Sequence, residues 1–168
     1  MSEEAVSGNN GFFYEFDVMK YIPKILNNIA LDSGNKITKS VPLGHLGNLE
    51  SMFSPQRFIE QTMAFEYLFE KLEHKKAKDR NCPLKEELKY SFNLFPELLS
   101  NTNESVDVIS ESIKEMRRSV AHGYAYYYDF KNDSKAKYYL LLLDKLIKMM
   151  SLKWIGFSED EIKNCLVW

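Results

Sequence analysis

The sequence predicts an all-α protein, a four-helix up-and-down bundle with an irregular N-terminal lead-in and a short C-terminal helix. Three observations carry that expectation. From Ser54 onward the apolar residues recur in steps of three and four, the period of an amphipathic helix. No stretch shows the period-two alternation of a half-buried strand. A chain of 168 residues with 45% hydrophobic residues, 11 Phe and 10 Tyr has the material for one core, and 7 Gly and 5 Pro leave few places to interrupt it.

Residues 1–53 read as a linker or lead-in. Met1 to Gly11 is a polar, acidic tail without the basic and apolar regions of a secretory signal, so a cytoplasmic address is expected. Phe16 to Leu31 should form one or two short helical turns interrupted at Pro23, and Gly34 to Gly47 a loop around Pro42 and Gly44. Ser54-Pro55 then supplies an N-cap and a first-turn proline for a helix over about 54–78, whose Phe58, Phe65, Leu68 and Leu72 share one face. Glu66, Glu70 and Glu73 mark its polar side. A second helix over 83–99 carries Leu84, Leu88, Phe92, Phe95 and Leu99 and is disturbed at Pro96.

Thr102 or Asn103 can cap a third helix, in which Val106, Ile109, Ile113, Met116 and Val120 alternate steps of three and four and Gly123 offers the stop. Ser105, Ser112 and Ser119 lie seven apart on it, a small-residue stripe suited to close helix packing. The fourth helix starts at Ser134 and ends at Gly156. Its apolar residues leave only a narrow polar strip through Asp144, Lys145 and Lys148, so it should be buried on most sides. Ser158 with Glu161 forms a capping box for the short last helix. Residues 54–168 are thus the helical bundle.

Composition excludes several functions. The longest apolar run, Tyr138 to Leu143, is far short of the roughly 18 residues of a membrane helix. Cys82 and Cys165 stand far apart without a CxxC or His-rich setting and read as free thiols. A net charge of −2 provides no overall field for nucleic acid, so any phosphate must meet a local patch. There is no glycine-rich phosphate loop, no G-x-S-x-G, no H-E-x-x-H and no acidic cluster able to hold Mg²⁺, so neither a cofactor nor a metal is implied.

Of the three histidines, His45 and His74 read as isolated surface groups. His122 closes the third helix in the run Met116-Arg117-Arg118-Ser119-Val120-Ala121-His122-Gly123-Tyr124. On an ideal helix Arg118 and His122 share a face, whereas Arg117 and His122 lie about 140° apart. Either the helix end unwinds to bring Arg117 and His122 together, or a second copy pairs with it across a two-fold axis. A structural alternative pairs Arg117 and Arg118 with Glu111, Glu115 or the last carbonyls, with His122 as a cap. Tyr124, Tyr126, Tyr127, Tyr128 and Phe130 follow, and such aromatics either stack bases or serve as core and dimer contacts.

Arg117, four residues, then His122, at the end of the third helix and before an apolar fourth, resembles the HEPN superfamily over residues 54 to 157. The lead-in, the Phe58 to Phe69 run and the closing Lys-Trp-Ile-Gly-Phe are similar to the C-terminal HEPN domain of ApeA-type anti-phage proteins. The departure is Arg118, where many members carry Asn, Asp or His. Tyr124 adds an H-x-Y pattern similar to HEPN toxins that a nucleotidyltransferase antitoxin modifies at that tyrosine. By chance, a chain of this composition holds about 0.2 such Arg-His spacings, and about 0.01 once the tyrosine is required.

The resemblance implies a metal-independent endoribonuclease in anti-phage defence or toxin biology, built as a homodimer. RNA is then the substrate, and an N-terminal sensor module or an antitoxin the further partner. RNA carries its own nucleophile, the 2′-OH, so cleavage needs a base, an acid and charge stabilisation. An imidazole, with an unperturbed pKa of about 6.5, suits both proton transfers, the role expected of His122. Arg117 would hold the scissile phosphate, and Arg118 and Tyr124 would contact the substrate. The competing expectation is a non-catalytic module that dimerises or binds a nucleotide or RNA.

Overall fold

The computed structural model describes residues 19–32, 53–73, 83–123, 129–130 and 132–165, the last two by backbone alone. Every regular element among them is helical: α1 (Ile22–Leu31), α2 (Pro55–Leu72), α3 (Leu84–Leu94), α4 (Val106–His122), α5 (Ser134–Ile155) and α6 (Glu159–Cys165). Short 3-10 turns at Met19–Tyr21 and Pro96–Leu99 precede α1 and follow α3. None of these helices is long and apolar enough to cross a membrane.

Most helix ends lie where local chemistry puts them. The Ser54 side chain accepts from the Arg57 N–H, and Pro55 occupies a first-turn position that needs no donor. Ser158 and Glu161 cap each other: the Ser158 N–H donates to Glu161 Oε2 at 2.9 Å, and the Glu161 N–H to Ser158 Oγ at 3.3 Å. Gly123 and Gly156 end α4 and α5 with φ of 62° and 109°, values that a side chain opposes.

Four details differ from expectation. Helix α2 stops at Leu72 rather than near residue 78, because the charged stretch that follows brings no apolar group to bury; residues 74–82, with His74 and Cys82, lie outside the described residues. Helix α3 ends at Leu94, since Phe95 precedes Pro96 and is driven from the helical region to φ −128° and ψ 64°. Ser105, not Thr102 or Asn103, caps α4 by accepting from the Val108 N–H, so it leaves the expected serine stripe; Thr102 instead accepts from the Glu104 N–H. Pro23 opens α1 instead of breaking it. This short helix packs on the C-terminal end of α5: Tyr21 stacks on Phe157 with centroids 3.7 Å apart, and Asn28 Nδ2 donates to the Trp154 carbonyl at 2.6 Å.

The core is continuous. Phe58, Phe65, Leu68 and Phe69 of α2 meet Leu140, Leu143, Leu146 and Ile147 of α5, while Leu88 and Phe92 of α3 face Ile109, Ile113 and Met116 of α4. Each such side chain contributes about 1.5–3 kcal/mol by leaving water. Helix α5 lies chiefly along α2, α3 chiefly along α4, and α2 also touches α4. Because α4 commits Ile109, Ile113 and Met116 to this core, its basic residues are turned to its flanks and outer side.

Candidate functional site

The C-terminal half of α4 and the start of α3 border a groove of about 280 Å³ lined by Pro83, Leu84, Lys114, Arg117, Arg118 and His122. Helix α4 remains regular to His122, so the helix end does not unwind. Arg117 and His122 nevertheless share the groove, which runs along α4 and is broader than one helical face. His122 is exposed in the last turn of α4.

Each of the groove's long cations meets a carboxylate. Arg117 Nη2 lies 2.7 Å from Glu66 Oε2 on α2, with both side chains about one-third exposed (35% and 33%). Lys114 Nζ is 2.7 Å from Glu111 and 3.3 Å from Glu115, and both hydrogen bonds hold its pKa above the ordinary lysine value. Arg118 makes only a 3.9 Å approach to Glu115, with 61% of its side chain exposed. The expected local pairing therefore holds for Arg118. Arg117 instead reaches across to α2.

A second carboxyl stands behind Arg117. Glu87 on α3 lies one turn after the groove-lining Pro83 and Leu84. Its Oε2 is buried and has no hydrogen-bond partner among the described residues. Burial pushes its pKa up to about 7, the nearby Glu66 carboxylate adds to the rise, Arg117 opposes it, and Glu70 contributes a further rise. Glu66 is also raised, by burial that Arg117 only partly offsets. One carboxyl from α2 thus contacts the Arg117 guanidinium, and a second, on α3, lies within reach of its charge.

Lys114, Glu66 and Glu87 were not singled out from the sequence. Lys114 is one turn before Arg118 and was visible in principle. Glu66 reads as one of several acids on a polar face, and nothing local ties it to a partner 51 positions away. Tyr124 and Tyr126 to Tyr128 lie outside the described residues, as does His45. Phe130, the one described member of that aromatic run, is buried against Phe58 at a centroid distance of 5.5 Å, a core role. Among the described residues, no group of three or more His, Cys, Asp or Glu side chains is placed to hold a metal ion.

No family model, curated protein sequence or solved structure matches the chain.

Proposed function

We propose that the chain is a HEPN-type four-helix domain that cleaves RNA without a metal ion, at a site completed by a second copy, in defence or toxin biology. The observation that carries this reading is the sharing of one groove by Arg117, Arg118, Lys114 and His122. Three cations can hold the ribose-phosphate backbone, and an exposed imidazole stands beside them. Arg117 contacts Glu66 through one terminal nitrogen, which leaves its other N–H groups for a phosphate. His122 takes the 2′-OH proton or returns one to the departing 5′-oxygen, and a two-fold arrangement would supply both transfers at once. Arg117 then stabilises the charge that builds on the pentavalent phosphorus.

A cleavage assay on total tRNA and generic RNA in excess EDTA, with proteins of confirmed dimeric mass, tests this. Wild type should give 2′,3′-cyclic phosphate and 5′-hydroxyl ends. Arg117→Ala should lose about 10²–10³-fold in rate, the usual cost of removing a charge-stabilising donor, and His122→Ala about 10²–10⁴-fold. Products with 3′-hydroxyl ends, or three equally active proteins, overturn the reading.

The carboxylate partners of Lys114, Arg117 and Arg118 favour one second reading, a non-catalytic module that uses the same groove to bind RNA or a nucleotide. Folded dimers that bind RNA and leave it intact would establish it.

A further inference from the structure

Arg117 belongs to two environments. Its guanidinium lines the groove, and its Nη2 is held by Glu66 from behind. Glu87, on α3 one turn beyond the groove-lining Pro83 and Leu84, has one carboxyl oxygen buried and without a hydrogen-bond partner among the described residues. Among the described residues, the charged groups whose fields reach Glu87 are Glu66 and Glu70 from α2 and Arg117 from α4. When Glu66 and Glu87 are both ionised, two negative charges meet one positive charge, and the guanidinium is already over-compensated. A phosphate entering the groove brings a further negative charge to the same cation.

We propose that Glu66, Glu87 and Arg117 form a proton-linked gate on the groove, in which a phosphodiester binds most tightly when Glu87 carries a proton. The inference deepens the reading of the groove as a phosphate site and rests on it. Protonating Glu87 removes one of the two anions that compete for Arg117, so the guanidinium can turn its free N–H groups to the ligand while Glu66 holds its other edge. The sign follows from linkage. A bound phosphate favours the protonated form of Glu87, so binding takes up protons and weakens as pH rises through the neutral range in which Glu87 ionises. Glu66 acts on the ligand only through Arg117. It is a positioning residue, and its removal relaxes the gate.

The test uses a single-stranded oligodeoxynucleotide, which lacks the 2′-OH and cannot be cleaved by this route. Its affinity is measured at about pH 6 and about pH 8. If the ligand raises the Glu87 pKa by about one unit, wild-type affinity falls about fivefold over that interval. Glu87→Gln should bind about fivefold tighter than wild type at about pH 8 and about equally at about pH 6, so that its pH slope is shallower by the same factor. His122 is present in both proteins, so its contribution cancels in the comparison. Glu66→Gln should raise affinity at about pH 8.

Calorimetry of the wild type in buffers of different ionisation heat gives a second reading that needs no variant, and net proton uptake is expected near neutrality. Equal pH slopes for wild type and Glu87→Gln, binding without proton uptake, or no binding at about pH 6 would each overturn the gate. Binding of DNA with the expected pH slope, but no cleavage of RNA, would overturn the nuclease reading alone.

Discussion

Two seams between helices each set an arginine against an acid from another helix, with opposite charge balance. Between α2 and α5, Asp144 is approached by three donors: Arg57 Nη2 at 3.6 Å, Gln61 Nε2 at 3.1 Å and Lys148 Nζ at 2.7 Å. Arg57 and Gln61 are almost fully buried (8% and 1%). Between α2, α3 and α4 the balance is reversed: Arg117 is held by Glu66 at 2.7 Å, also feels the Glu87 charge, and remains one-third exposed. The first seam satisfies its anion, with Arg57 and Gln61 buried behind it and Lys148 reaching it from the solvent side. The second leaves its cation over-subscribed by acids at the edge of a groove, an arrangement that a ligand can change. Burial distinguishes an ion pair that supports the fold from one available for chemistry.

The largest expected effects separate the seams by what each variant damages. Arg117→Ala should remove RNA cleavage by about 10²–10³-fold yet cost no more than about 1 kcal/mol of stability, because a pair one-third exposed is screened by water. Asp144→Ala should do the reverse. It strands Arg57 in the interior, at about 3 kcal/mol and roughly a 10 °C fall in melting temperature. Denaturant titration and the cleavage assay on both variants check the contrast. Matching losses of stability would show that the α4 seam is also structural.

A smaller effect sharpens the comparison through pH. In the folded chain the Glu87 pKa is raised from the ordinary glutamate range to about 7. Between those limits the folded state binds more protons than the unfolded one, so this group's contribution to stability falls as pH rises and is fully adverse above about pH 7. Glu87→Gln should therefore melt higher than wild type at about pH 8, by about 2–4 °C for each kcal/mol recovered, and show no such gain at about pH 5. Because the side chain is partly exposed, about 1 kcal/mol is expected rather than the full value of the shift. Melting curves at the two pH values decide it.

The two seams were unequally legible in the sequence. Arg117, Arg118 and His122 announce themselves because their spacing is local and the helix places them mechanically. The N-cap at Ser54, the box at Ser158 and Glu161 and the stops at Gly123 and Gly156 were legible for the same reason, since each depends on groups a few residues apart. Glu66 and Glu87 were hidden because their meaning is tertiary. Each sits on a helix as an unremarkable acid, and only the packing of α2 and α3 on α4 brings both to one guanidinium. Asp144 stands in the sequence only as part of a narrow polar strip for the same reason. The expectation of a longer α2 has a different origin: Glu and Lys are good helix formers, so the sequence after Leu72 looks helical, whereas α2 ends at Leu72.

The smallest expected effect lies at the end of α4, where the local and the tertiary meet. Gly123 holds φ at 62°, and a Cβ placed there would meet nothing within 4 Å among the described residues. Gly123→Ala should cost only the strain of a left-handed alanine, about 1 kcal/mol. The chain can relieve that strain by fraying the last turn of α4, which carries His122 but neither Arg117 nor Glu66. Cleavage should then fall more than stability does, while affinity for an uncleavable strand, which depends on Arg117 and Lys114 further back in the helix, stays within about twofold. Equal losses in binding and cleavage would mean that the groove responds as one rigid unit. Loss of cleavage alone would show that the imidazole and the phosphate seat are held by separate parts of the helix.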